Sequence, residues 1–349
     1  MDHEMLVVRR GRRTGISTIV AVHSTRLGPA LGGCRMWHHA TLDDAIADAL
    51  RLSGAMTLKA AAAGLDLGGG KGVIWLPDTT VPTGRLRHDL MRDFADTVES
   101  LAGAYITAED VGTTIADMEL VARHTDHVVG RPLAQGGSGD PGPRTAAGVQ
   151  AAIRACCSRR YGSPSLAERR IAIVGVGSVG GGLARLLADA GARLVLSDVD
   201  AGKRMLAGEL EAEWLEPGEA LRSSVDVLAP CALGGVIDET LTRELQCEIV
   251  CGSANNQLTE DGIADLLAAR DVLYAPDFIV NAGGLINVAL ELTGYDPALA
   301  TRRVAEIEAT MGAILDHALA ASLTPLAAAR ELAAKRLQAA AARPLRAAA

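Results

Sequence analysis

The chain lacks the patterns that build metal or disulfide frameworks. Its six cysteines form no C-x-x-C pair, and none stands with histidines at zinc spacing. They read as buried thiols of a reducing compartment, and no metal is expected. The start, Met-Asp-His-Glu, has no basic segment leading into an apolar one, and no uninterrupted apolar run reaches about 18 residues. The expectation is a soluble, cytoplasmic protein with no membrane partner. Aromatic residues make up only 3% of the chain, and 34 basic side chains face 42 acidic ones for a formal charge of -8. Without a basic run or a cluster of aromatics with arginine, a nucleic-acid surface is excluded and small-molecule partners are favoured. No internal repeat is evident.

What is present is material for two cores: 349 residues, 49% of them hydrophobic. Strand-like runs at Met5 to Val8, Ser17 to Val22, Val73 to Trp75 and Tyr105 to Thr107 alternate with helical periodicity at Leu42 to Leu52 and Leu86 to Leu101. Thr41 with Asp44 has the form of a capping box, which starts a helix running toward Met56 and delivers Lys59 just beyond its end. "GRPLAQGGSGDPGPR" at 130 to 144 is rich in glycine and proline with little to pack, and marks the boundary. Beyond it, helix Thr145 to Arg159 leads into strand, helix and strand, and the runs Val225 to Ala229, Ile249 to Cys251 and Val272 to Tyr274 follow. These intervals predict a doubly wound sheet. The expected class is α/β with two domains and a cleft between them: 1–135, joined by C-terminal helices over 322–349, and 136–321. The Ala-rich end, 339–349, reads as frayed.

"GLDLGGGKGVIW", residues 64 to 75, sets a lysine after three glycines. A phosphate loop G-x-x-x-x-G-K-[ST] is excluded, because Leu65 and Gly72 stand where it needs glycine and a hydroxyl. Taken alone, the segment reads as a turn before the strand Val73 to Trp75. "YITAEDVGTT" sets Glu109 and Asp110 at a strand end, which suits either proton transfer or an ordinary solvated loop.

"RRIAIVGVGSVGGGLARLLADAGARLVLSDVD" is more specific, because the glycines lie in a strand, turn and helix with an acidic residue at the end of the next strand. Gly175 permits the tight turn, Gly177 lets the backbone approach a pyrophosphate, and Gly180 lets helix pack on strand. The turn Gly175, Val176, Gly177, Ser178, Val179 and Gly180 is therefore the candidate dinucleotide site. Asp198 would accept hydrogen bonds from a ribose diol and repel a 2'-phosphate, with Asp200 adding to the repulsion. NAD is the expected cofactor.

"LGPALGGCRMW", "MTLKAAAAGLDLGGGKGVI", "AEDVGTT", "APCALGG", "GSANNQL" and "APDFIVNAGGLINV" occur in that order around the dinucleotide turn. In this the chain resembles the Glu/Leu/Phe/Val amino-acid dehydrogenase family over about residues 5 to 340, most closely its leucine/valine branch. The resemblance implies NAD-dependent oxidative deamination of an L-amino acid to a 2-oxo acid and ammonia, with the reverse reductive amination, in a homo-oligomer. It implies an N-terminal substrate and assembly domain and a Rossmann-type NAD domain. By resemblance, Lys71 is the catalytic lysine, Asp110 exchanges protons with the substrate, and Lys59 binds its α-carboxylate. Gly33, Met56 and Asn256 are carried over as substrate-binding residues, and Thr145, Cys231 and Ala232 as cofactor-binding ones. Outside this context Asn256 reads as a turn residue.

The resemblance also bears on specificity. In the glutamate branch a lysine before the first Gly-Gly and a serine in the last motif bind the distal carboxylate, whereas this chain has Leu31 and Val288. An unpaired carboxylate against such side chains costs several kcal/mol, so glutamate is disfavoured. With Ala108 and Leu285 the inferred wall is aliphatic and suits leucine, valine or isoleucine. Phenylalanine is the alternative substrate, and a catalytically silent NAD-binding homologue the alternative function. Cys34, Gly72 and Arg144 depart from the family pattern.

Overall fold

The computed structural model describes residues 2–341. Packing divides them into two units. The first holds the chain up to Asp140, Asn287–Pro297 and the described residues from Ala333 onward; the second holds Pro141–Ile286 and Ala298–Leu332. Helix Pro325–Ala341 closes the described chain, and the end expected to fray lies, past residue 341, outside it.

In the first unit β1 (Met5–Arg10), β2 (Ser17–Ser24), β3 (Ala30–His38), β4 (Gly68–Leu76) and β5 (Tyr105–Glu109) form a sheet in the order β1-β2-β4-β3-β5. β2 is antiparallel to β1 and β4, while β3 runs parallel to β4 and β5. β3 and the start of β4 differ from the sequence expectation, since "LGPALGG" shows no alternation and "GGGK" reads as a turn. Their glycines serve packing inside a sheet. A Cβ on Gly69 would fall 2.1 Å from the Thr57 nitrogen, and one on Gly72 would fall 2.7 Å from Cζ of Phe94.

The helix α1 (Leu42–Ala62) starts at the Thr41 and Asp44 capping box, with both reciprocal hydrogen bonds formed. It runs further than the periodicity predicts, because the stretch after Met56 is rich in alanine, the best helix former. It stops before Gly64, at φ +73°. Lys59 therefore lies in its last turn and not beyond its end. α1 covers one face of the sheet through Ala45 and Ala49 against Ile19, Ala21 and Val73. Helices α2 (Gly84–Glu99) and α3 (Ile115–Ala122) cover the other, burying Phe94, Met118 and Tyr105 completely.

The Gly/Pro segment expected to pack little is instead tied down. The buried carboxylate of Glu291 accepts hydrogen bonds from the Gly130 nitrogen (2.8 Å), the Ser138 nitrogen (2.8 Å) and the Ser138 hydroxyl (2.5 Å).

In the second unit β6 (Arg170–Val174), β7 (Arg193–Ser197), β8 (Glu213–Trp214), β9 (Val225–Pro230), β10 (Cys247–Val250) and β11 (Leu273–Tyr274) form a parallel sheet. Its order is β11-β10-β9-β6-β7-β8, the doubly wound Rossmann arrangement. The strand order reverses between β6 and β9, where such sheets bind ligands at their carboxyl ends. Helix α4 (Gly142–Tyr161) enters the unit and α5 (Ser178–Asp189) follows β6.

Candidate active site

Side chains alternate across a strand, so Leu31, Gly33 and Arg35 on β3 share one face with Gly69, Lys71 and Val73 on β4. Gly69 against Thr57 and Val73 against Ala45 identify it as the face under α1. Ala108 of β5 pairs with Gly33 and joins that face. On α1 itself Met56 and Lys59 stand three residues apart on one side of the helix, both half-buried. Leu31, Gly33, Lys71, Ala108, Met56 and Lys59 thus lie on one sheet face and the helix that covers it, whereas Val288 lies in helix Gly283–Ala289. Leu31, Ala108 and Val288, of this unit, and Leu285, of the second, are all buried in the chain.

Lys71 is 5% exposed, and its Nζ donates to Oδ2 of Asp110 at 2.5 Å. Asp110 follows β5 directly. Burial pushes its carboxyl up, but Lys71 and then Arg35 outweigh that and hold it below the usual carboxylate range. The glycine before Cys34 makes the approach possible, because a Cβ on Gly33 would fall 2.5 Å from the Glu109 carbonyl oxygen and 2.8 Å from Cβ of Asp110. The Thr113 hydroxyl accepts from the Asp110 nitrogen (2.9 Å) and donates to the Cys34 carbonyl (2.8 Å), which pins the turn to β3.

Arg35, which the sequence reading did not single out although it lies in "GGCRMW", reaches the Asp110 carboxylate as well. Its Nε donates to Asp110 Oδ2 at 3.2 Å and a terminal nitrogen to Asp48 Oδ2 at 2.8 Å. Glu109, next to Asp110, is half-buried. Burial, and then the negative charges of Asp140, Asp110 and Asp117, raise its carboxyl to about 6. Cys34 and Gly72 lie on the opposite face, in register with each other, where Gly72 makes room for Phe94 and Tyr105. Their departure from the family pattern is a matter of core packing behind the sheet.

The second unit carries the glycine turn. Gly175 has φ +100°, and its Cβ would fall 2.7 Å from the Ala232 nitrogen; a Cβ on Gly180 would fall 1.9 Å from the Gly175 carbonyl oxygen and 3.2 Å from Cβ of Cys231. Cys231 and Ala232 therefore wall the turn. Gly177 faces open space and, as the residue before α5, has no side chain with which to cap it. At the end of β7 the Asp198 carboxylate accepts from the Val176 nitrogen (2.8 Å), the Asp200 nitrogen (3.0 Å) and Lys203 Nζ (3.2 Å). Burial raises the Asp198 carboxyl and these donors outweigh it, so it sits below the usual range. A carboxylate offers about four lone-pair positions, which leaves acceptor capacity for a ribose diol. The glycine turn, with Gly177 facing open space and an ionised carboxylate at the next strand end, fits a dinucleotide: Gly175 to Gly180 would take the pyrophosphate and Asp198 the ribose.

Thr145 lies in the first turn of α4, donating its hydroxyl to the Pro141 carbonyl, and Gly284 makes room for it. Arg144 beside it donates to the Thr301 hydroxyl at 2.7 Å. Asn256 is exposed at φ +51°, with its carbonyl accepting from the Gly235 nitrogen, so its backbone forms a turn. Asn281, which the sequence reading did not single out, is buried and donates to Asn255 Oδ1 at 2.8 Å in the same loop. Among the described residues no group of three or more His, Cys, Asp or Glu side chains is gathered as for a metal ion. Among them, too, no single helix is long and apolar enough to cross a membrane.

Comparison with known proteins matches two family models: Glu/Leu/Phe/Val dehydrogenase, dimerisation domain, over residues 4–127, and Glutamate/Leucine/Phenylalanine/Valine dehydrogenase over residues 196–343. The chain is 41% identical to leucine dehydrogenase of Geobacillus stearothermophilus, covering 88% of this chain and 83% of that one. It is 42% identical to valine dehydrogenase of Streptomyces virginiae, covering 96% and 94%. Among solved structures, L-tryptophan dehydrogenase from Nostoc punctiforme superposes with a TM-score of 0.84 at 37% identity, covering 98% of each chain.

Proposed function

The chain belongs to the Glu/Leu/Phe/Val dehydrogenase family, and on that premise we propose that it oxidatively deaminates an aliphatic L-amino acid with NAD. Leucine, valine or isoleucine is converted to the 2-oxo acid and ammonia, and the reverse reaction is reductive amination. The observation that carries this reading is the Lys71–Asp110 pair, 2.5 Å apart on a sheet face that also bears Leu31 and Ala108. Proton-transfer groups beside aliphatic side chains suit a substrate that has ionisable groups at one end and an apolar tail at the other.

Each group then has one task. Lys59 holds the α-carboxylate. Asp110 accepts a proton from the substrate nitrogen, which prepares the Cα–H bond to break. When bound, NAD supplies the hydride acceptor. Lys71, once it has given its own proton to solvent, accepts the proton of the water that adds to the resulting iminium carbon; Asp110 then returns its proton to the nitrogen, and the C–N bond breaks as the carbinol O–H proton passes to solvent and ammonia departs. By resemblance, Met56, Gly33 and Val288 of the first unit and Asn256 and Leu285 of the second are the further substrate-binding residues. The second unit holds the cofactor through the glycine turn, Asp198, Thr145, Cys231 and Ala232. The free thiols of Cys34, Cys156, Cys157, Cys231, Cys247 and Cys251 support work in a reducing compartment, the cytoplasm. The matched dimerisation model supports a homo-oligomer.

One observation favours a second reading, an aromatic substrate: the solved relative at 37% identity is described as an L-tryptophan dehydrogenase. Both readings are tested by following NADH absorbance with purified protein, NAD and L-leucine, L-valine, L-isoleucine, L-phenylalanine, L-tryptophan and L-glutamate in separate assays. The aliphatic reading requires one of the first three to give the highest kcat/KM. Phenylalanine or tryptophan in the lead would replace it with the second, and NADH binding without turnover on any of them would make the chain a silent homologue.

A further inference from the structure

The Asp110 carboxylate carries two cations on one oxygen. Lys71 Nζ and Arg35 Nε both donate to Oδ2, at 2.5 Å and 3.2 Å, and neither touches Oδ1. The two donors differ in chemistry. An ammonium can lose its proton and return it, whereas a guanidinium keeps its charge at any working pH. During the reaction proposed above Lys71 passes through its neutral form, and at that moment Asp110 loses one of its two counter-charges. Arg35 does not leave.

Arg35 is itself held. Its terminal nitrogen donates to Asp48 Oδ2 at 2.8 Å, and the other oxygen of Asp48 accepts from Arg51 at 2.7 Å. The guanidinium therefore spans from α1 to the turn after β5, with one edge on each carboxylate. Such a fork fixes direction as well as charge. The charged groups that face Asp110 are Lys71 from β4 and Arg35 from β3, with Asp48 behind Arg35 on α1 and Glu109 beside it on β5, on which the paired Asp117 of α3 also acts.

We propose that Arg35 is a positioning residue for the reaction: it keeps Asp110 aimed throughout, and favours its ionised form before it takes the substrate's proton and after it gives that proton back. This rests on the deamination reading. The role has two separable parts, charge and aim, and two substitutions separate them. Arg35→Gln removes the charge and the fork. Arg35→Lys keeps the charge and loses the grip on both carboxylates at once.

The experiment is the pH profile of kcat/KM for the best amino acid, with NAD saturating, in the wild type and both variants, each checked for folding by its thermal melt. For Arg35→Gln the acidic limb moves up by about one unit, because the lost cation no longer favours the carboxylate. For Arg35→Lys the limb stays in place while kcat falls by about tenfold, with the KM for NAD unchanged. An Arg35→Gln limb that coincides with the wild-type limb overturns the role of the charge. If that variant does not fold, Arg35→Lys decides: wild-type kcat in it overturns the positioning role. A wild type inactive on every amino acid overturns the deamination reading and this role with it, whereas an active wild type with unmoved variants overturns the role of Arg35 alone.

Discussion

Gly69 of β4 lies so close to Thr57 of α1 that a Cβ would fall 2.1 Å from the Thr57 nitrogen and 2.6 Å from the Ser53 carbonyl oxygen. Both neighbours are helix backbone, which cannot rotate away. Gly69→Ala must therefore lift α1 from the sheet, at a cost of about 1–3 kcal/mol or more. Lys59 and Met56 ride on that helix, so the expected outcome is a lower melting temperature together with a raised KM for the amino acid. Thermal melts and steady-state kinetics on the one variant check both.

Glu291 satisfies three donors of the 130–144 segment with one buried oxygen. Removing it leaves those donors buried and unpaired, at about 1–3 kcal/mol for each group left without a partner. Glu291→Ala is expected to lower the stability of the first unit by at least that amount for one group. It should also open the segment to proteolysis under native conditions, so limited digestion followed by mass spectrometry gives a local reading where denaturation gives a global one.

Glu109 has a carboxyl raised from 4.5 to about 6, first by burial and then by its acidic neighbours. A raised carboxyl binds its proton more tightly in the folded chain, so its contribution to stability is fully present below 4.5 and is lost as pH rises through about 6. At neutral pH the charge therefore opposes folding. Glu109→Gln is expected to stabilise the protein at about pH 8 by on the order of 1 kcal/mol, discounted for the solvent that reaches this half-exposed group. At about pH 4 the gain vanishes, because the wild type is then protonated in both states. Melts of both proteins across this range test the sign.

Asp198 meets the expected ribose with a carboxylate that three N–H groups keep ionised. Asp198→Ser removes the charge that repels a 2'-phosphate and leaves Lys203 without its partner. The ratio of kcat/KM for NADP over NAD is expected to rise by about tenfold or more, driven mainly by loss of NAD efficiency. An unchanged ratio would place cofactor discrimination elsewhere.

The second unit was legible in the sequence because its signals are local: β6, the glycine turn, α5 and Asp198 follow one another along the chain and each constrains the next. The capping box at Thr41 was legible for the same reason. β3 and the start of β4 were not, because glycines chosen for close packing erase the alternation that marks a strand. Lys71 and Asp110 could be singled out as motif residues, but their 2.5 Å contact joins β4 to the turn after β5, a strand that β3 separates from it in the sheet. Arg35 and Glu291 were invisible as functional groups because their partners lie far along the chain. An arginine after Gly-Gly acquires its meaning only when α1 brings Asp48 beside it.

The central claim is that Lys71 and Asp110 act as one proton-transfer pair in an NAD-dependent deamination. It is tested most directly by measuring kcat for the best amino acid in Lys71→Ala and Asp110→Asn, alongside NADH binding by fluorescence. The account predicts that each variant loses kcat by about 10²-fold or more while NADH binds within about twofold of the wild-type affinity. Turnover retained in either variant with the same substrate would contradict it.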